Sequence, residues 1–236
     1  MRIRFRSVTR GLLAGAGLAA GVYGAIAAVA WYRYGRPSIP DAHERDALLD
    51  QFMPVYDVVE RHHITVAAPA ALTLAAAKEQ DLNGSAIVRA IFKAREAVMG
   101  ATPPAREQPR GLIAAVQSLG WGVLADVPGQ EIVMGAVTRP WEANVTFRAL
   151  PPEEFASFSE PGFVKIAWTL RADPVGERGS VFRTETRVIA TDATARARFR
   201  RYWAFASPGI TLIRQLSLRP VRRDAEGRRA GLRSAS

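Results

Sequence analysis

Hydrophobic and polar residues alternate most regularly over the last third of the chain. Val164, Ile166, Trp168 and Leu170 share one parity, and Lys165, Thr169 and Arg171 the other. That is the period of a strand with one face turned inward. The return stretch alternates in the same way. Phe182, Thr184, Thr186 and Val188 are expected inward, and Arg183, Glu185 and Arg187 on a solvated outer face. Two long antiparallel strands follow from this, Phe163–Ala172 and Ser180–Thr191. From Asp192 the period becomes helical: Phe199, Trp203, Ala206, Ile210, Ile213 and Ser217 step by three and four into one apolar stripe. Pro208-Gly209 is expected to kink or briefly break that helix.

Upstream, Asp57–Ala67 is rich in β-branched residues and predicts a strand. Pro69 opens a short helix that runs to Lys78. After a break at Asn83-Gly84, Ser85 caps a second helix over Ala86–Met99, with Ile87, Ile91 and Val98 near one stripe. A Pro-rich connector (102–109) leads to a helical segment Leu112–Leu119. Trp121–Asp126 and Gln130–Thr138 form a strand pair around the type II turn signal Val127-Pro128-Gly129. Ala143–Arg148 and Glu153–Phe158 complete the set as shorter strands. The fold class is α+β, with an antiparallel sheet, two short helices after its first strand and a long C-terminal helix.

The N-terminus adds a different pattern. Gly11–Tyr32 is uncharged over 22 residues, long enough to cross a hydrocarbon core of about 30 Å. Arg2, Arg4, Arg6 and Arg10 precede it, and Trp31, Tyr32 and Tyr34 give it an aromatic belt. Residues 1–36 thus predict a membrane anchor through residues 11–32, or a signal segment cleaved after Ala28-Val29-Ala30. The arginine balance places the following domain outside the cytoplasm, with secretion or the cytoplasmic membrane face as alternatives. Residues 37–55 are expected to be a linker, and 227–236 a basic disordered tail.

Charge sharpens this picture. The net +10 is concentrated at the ends: residues 1–36 carry +6, residues 193–236 carry +9, and the middle is −5. That distribution, without a zinc-finger, helix-turn-helix or RNP pattern, excludes nucleic acid as the expected partner. The chain has no cysteine, which excludes thiol catalysis, disulfides and Cys-ligated metals.

The stretches PGFVKIAW (161–168), TETRVIATD (184–192) and ARARFRRYWAF…PGITLIR (195–214), with this element order, resemble the START-like or Bet v 1-like helix-grip superfamily. Polyketide cyclase/dehydrase-type proteins belong to it. The resemblance covers residues 56–226. It implies a curved sheet wrapped on the C-terminal helix and a cavity beneath that helix for a small hydrophobic or amphipathic molecule, lipid or polyketide-like. Members are often soluble, so the N-terminal segment is a departure.

Within such a cavity Trp141, Trp168 and Trp203 are candidate lining residues, since indole combines a large apolar area with one N–H. Thr184 and Thr186 offer inward hydroxyls, and Ile210 lies on the helix stripe. Arg148 and Glu142 are candidates for the cavity mouth. His62 and His63 are adjacent on a strand, point to opposite faces and cannot share a metal. No G-x-S-x-G, H-E-x-x-H or Walker pattern is present, and neither cofactor nor catalytic residue is indicated. The expected function is non-catalytic binding of a small hydrophobic or amphipathic ligand by a membrane-tethered domain. A cyclase- or hydratase-like enzyme using the same cavity, and an interaction protein with a filled core, are the alternatives.

Overall fold

In the computed structural model, which describes residues 2–81, 85–101 and 109–234, the chain begins with α1 (Arg2–Arg33), α2 (Ala47–Phe52) and β1 (Val58–Val66). Helices α3 (Ala70–Glu79), α4 (Ala86–Met99) and α5 (Leu112–Ser118) follow. Then come β2 (Gly122–Val127), β3 (Glu131–Thr138), β4 (Phe147–Arg148), α6 (Pro152–Ser157), β5 (Val164–Val175), β6 (Gly179–Ala190) and α7 (Ala193–Ser234). The sheet order is β1-β6-β5-β3-β2, with β4 paired to β3. Every pairing is antiparallel. The six-stranded sheet and long C-terminal helix are those of the expected α+β fold. The Asn83-Gly84 break and the connector, save for Pro109, lie outside the described residues.

The β5–β6 hairpin sets the register. Ile166 pairs with Val188, Trp168 with Thr186 and Leu170 with Thr184, so these six side chains share a face. Helices α3 and α7 cover it, packing Leu74, Ala77, Val221 and Ala225 onto Trp168, Leu170 and Phe182. A second cluster on this face joins Phe199 and Trp203 of α7 to Val58, Val164 and Val188. The β2–β3 turn closes with Gln130 N–H donating to Val127 O at 3.0 Å. Gly129 supplies the positive φ of 74° that a type II turn requires.

The opposite face is not solvated, contrary to expectation. Arg187 is 1% exposed, and Lys165, Thr169 and Glu185 are buried beside it. The cause lies in residues 37–55, which are more than a linker. Asp46 caps α2 by accepting from Leu49 N–H at 2.8 Å, and α2 then buries Leu49 and Met53 against this face. Arg187 is held by Glu185 at 2.6 Å, Asp50 at 2.5 Å and the Met53 carbonyl at 2.7 Å.

Glu153–Phe158 also departs from expectation. It is α6, because Pro152 starts a helix and Glu153 and Glu154 occupy its first turn. Its Phe155 is fully buried over β3, where a side chain at Gly135 would meet Leu124 Cδ1 at 2.5 Å and the Phe155 ring at 3.0 Å. Lys165 donates to the Phe155 and Ala156 carbonyls at the end of that helix. The strand expected over Ala143–Arg148 contracts to β4.

Helix α7 is continuous across Pro208 and Pro220 and reaches Ser234, so the expected break and the disordered tail are replaced by helix. Helix α1 runs antiparallel to its first half. Tyr23 packs on Phe205, the Trp31 ring lies 4.1 Å from the Arg200 guanidinium, and Tyr34 meets Phe199. Buried Asp57 ties this junction together, accepting from Arg196, from Tyr34 Oη at 3.4 Å and from Ala190 N–H at 3.2 Å. The membrane-crossing anchor expected here is not supported: among the described residues no helix is long and apolar enough to cross a membrane.

Removing one partner of a buried ion network leaves the others uncompensated, which costs about 3–5 kcal/mol. Arg187→Ala is therefore expected to lower the urea-unfolding free energy by that amount. A loss within about 0.5 kcal/mol, as for an ordinary surface residue, would refute the burial of this face.

Candidate functional site

Between the two apolar clusters under α7 the interior turns polar. The β1–β6 register sets Glu60 opposite Thr186 and His62 opposite Thr184, on the same face as Trp168. Above them Arg214 reaches down from α7. Its guanidinium donates to Thr186 Oγ1 at 2.8 Å and Thr184 Oγ1 at 3.4 Å, and lies 5.7 Å from the Trp168 ring centre. Burial brings its pKa down to about 10, against a smaller upward pull from Glu60. Among the described residues no carboxylate lies within ion-pair distance of it. Glu60 Oε2 accepts from Thr211 Oγ1 at 3.4 Å and is 3.3 Å from His62 Nε2.

This geometry presents donors to an incoming group. A guanidinium has five N–H donors and no acceptor. Each threonine hydroxyl that accepts from Arg214 keeps its own hydrogen to give. Among the described residues Ser207 Oγ, one helical stretch away, is buried without a hydrogen-bond partner, and His62 Nε2 has only the 3.3 Å approach of Glu60. Trp168, Thr184 and Thr186 thus meet at Arg214. Trp203 stacks on Phe199 at 5.9 Å, with Ile210 packed against the same cluster.

Trp141 stands elsewhere, in the segment after β3. It lines an open groove of about 510 Å³ with Val98, Met99, Arg198, Arg201, Tyr202 and Phe205. Arg148 and Glu142 do not flank this space. Arg148 pairs with Glu160 at 2.8 Å, and Glu142 lies 3.7 Å from Arg139.

Sequence reasoning missed Arg214, and the reason is specific. Both Ile213 and Arg214 continue the stripe from Ile210, three or four residues on, and apolarity favoured Ile213. The inward positions are Phe199, Trp203, Ser207, Ile210, Arg214, Val221 and Ala225. Two of these seven positions, Ser207 and Arg214, are polar, and that interruption of the stripe was the available signal. Among the described residues no cluster of three or more His, Asp or Glu side chains is placed to hold a metal ion.

The reverse face carries a second perturbed group. Glu131 accepts from Thr169 Oγ1 at 2.6 Å, beside Asp46 and Arg171, in a pocket of about 360 Å³ that also includes Arg45 and Asp173. Burial, reinforced by Asp46, pushes its carboxyl up to about 8.

No family model matches the chain, and no curated protein matches it. Among solved structures it is similar to hypothetical protein jhp0584 from Helicobacter pylori, at 6% identity and TM-score 0.38, over 80% of this chain and 98% of that one. It is also similar to the Zhui aromatase/cyclase from Streptomyces sp. R1128, at 12% identity and TM-score 0.22, over 72% and 94%. A third is norcoclaurine synthase from Thalictrum flavum, at 13% and 0.25, over 73% and 97%. At identities and TM-scores this low, the functional reading rests on this chain's own geometry.

A carboxyl whose folded pKa is raised binds more protons folded than unfolded, so stability falls as pH rises between the two values. Glu131 should therefore make the protein progressively less stable from about pH 4.5 to about pH 8. Glu131→Gln is expected to flatten that part of the stability profile and to exceed the parent at pH 9. Parallel urea midpoints for the two proteins across that range would contradict it.

Proposed function

We propose that this chain binds a small amphipathic molecule under α7, with the molecule's acceptor head on Arg214, Thr184 and Thr186 and its apolar body against Trp168 and Ile210. One observation carries the reading: a guanidinium enclosed beneath a helix whose partners, among the described residues, are two hydroxyls. A buried charge is costly unless paired, and Arg187 on the other face of the same sheet has two carboxylates and a carbonyl. A carboxylate, phenolate or polarised carbonyl on a ligand would complete Arg214 in the same way. Entry requires α7 to shift, and Pro208 lowers the cost of that by removing the amide that would bond Ala204 O.

A second reading, acid–base chemistry on the same ligand, is favoured by His62 and Glu60 lying 3.3 Å apart on the face that Arg214 covers. It needs the same ligand in place.

Native mass spectrometry of the full-length chain from its own host, followed by organic extraction, would identify a retained molecule. Dissociation constants for fatty-acid-type carboxylates and their methyl esters test the head group directly. A hydrogen bond to a charged group contributes about 1.5–3 kcal/mol, so carboxylates should bind roughly ten- to a hundredfold tighter. Arg214→Met should erase that preference while keeping or raising the apo Tm, because an apolar replacement relieves a buried charge. A clean apo mass with equal affinities for acid and ester would sink the proposal.

A further inference from the structure

Helix α1 is docked with its polarity inverted for a water-facing helix. The positions turned to the protein are Ala27, Ala30 and Tyr34, whereas Leu18, Val22, Ile26, Val29 and Tyr32 point away, Leu18 at 72% and Tyr32 at 69% exposure. Exposed Phe205 and Leu212 of α7 extend the apolar surface. No acidic residue precedes Asp41, and none lies between Asp192 and Asp224. The two antiparallel helices therefore offer a surface that is apolar and basic together.

The groove at Trp141 opens on this surface, because Phe205 forms part of its wall and also carries Tyr23 of α1. Arg198 and Arg201 are exposed at its rim. Among the described residues neither makes an ion pair or a hydrogen bond. Among the described residues, Trp141 Nε1 is buried at the groove without a hydrogen-bond partner. Apolar walls, two free guanidiniums and an indole N–H in want of an acceptor match a lipid phosphate with its first acyl carbons.

We infer that α1 and the outer face of α7 lie on an anionic lipid bilayer, and that the groove takes one anionic phospholipid, its phosphate on Arg198 and Arg201. This is attachment along the surface, not across it, as for an interfacial helix. It is independent of the Arg214 site, which lies on the sheet side of α7.

The test is partition of the full-length chain onto vesicles of phosphatidylcholine with and without phosphatidylglycerol. Each basic residue near such a surface adds about a factor of five in partition. Arg198→Gln/Arg201→Gln should therefore weaken binding to the anionic vesicles about ten- to thirtyfold, while Arg148→Ala, removing an arginine elsewhere, should leave it unchanged. Brominated phosphatidylglycerol should quench tryptophan fluorescence in the parent, and quench less in Trp141→Phe. Equal partition of parent and double variant, equal partition onto the two vesicle types, or equal quenching with and without Trp141 would each overturn the inference.

Discussion

Both faces of the β5–β6 hairpin are buried, so its register governs what every other element can do. Side chains along a strand alternate faces, and a slip of one residue would exchange the two sets. Trp168, Thr184 and Thr186 would then meet α2, and Arg187 and Glu185 would meet α7. The pairs Trp168–Thr186 and Leu170–Thr184 thus fix the site and the packing of α2 together. A sheet clad on one side only would constrain the register less, because a misplaced charge could remain in water.

Two arginines show the consequence. Arg187 is buried and Arg214 half-buried, in neighbouring layers, and among the described residues only Arg187 is paired with carboxylates. Burial by itself lowers the affinity of a guanidinium for its proton. At Arg187 the carboxylates reverse that effect, and at Arg214 they do not, since Glu60 acts from a distance. The contrast lies within one fold and one solvent, and it follows the partners supplied: carboxylates at Arg187, hydroxyls at Arg214.

Much of this architecture was legible because it rests on local rules. The strand pair around Pro128-Gly129, helix α4 and the hairpin follow from turn chemistry and period, and their boundaries agree within a few residues. Glu153–Phe158 was misread because a short apolar–polar run fits strand and helix alike, and only Pro152 and the acidic first turn separate them. The buried outer face was not legible. Nothing in Arg183-x-Glu185-x-Arg187 announces that residues 46–53 fold back over it, since a charged strand face and a buried ion network have the same pattern. Parity put Trp168, Thr184 and Thr186 on one inward face, as the register has them. Arg214 was lost to the ambiguity between steps of three and four on a helix.

Helix α7 connects the two proposed surfaces, and its prolines explain how it can serve both. A proline inside a helix removes one backbone bond and loosens the carbonyls before it. Here the carbonyl three residues before each proline is taken up from outside: Phe205 O accepts from Tyr23 Oη at 2.5 Å, and Ser217 O from Gln80 Nε2 at 2.9 Å. The first tie comes from α1 and the second from the end of α3. Arg214 sits between Pro208 and Pro220, on a length of helix weakened at both ends and re-tied to different elements. Phe199 and Trp203 are anchored before Pro208, and Val221 and Ala225 after Pro220, so the packed ends of α7 bracket the length that carries Arg214. The Tyr23 tie joins α1 to α7 at the point that Pro208 weakens, on the side of the helix away from Arg214's contacts with Thr184 and Thr186.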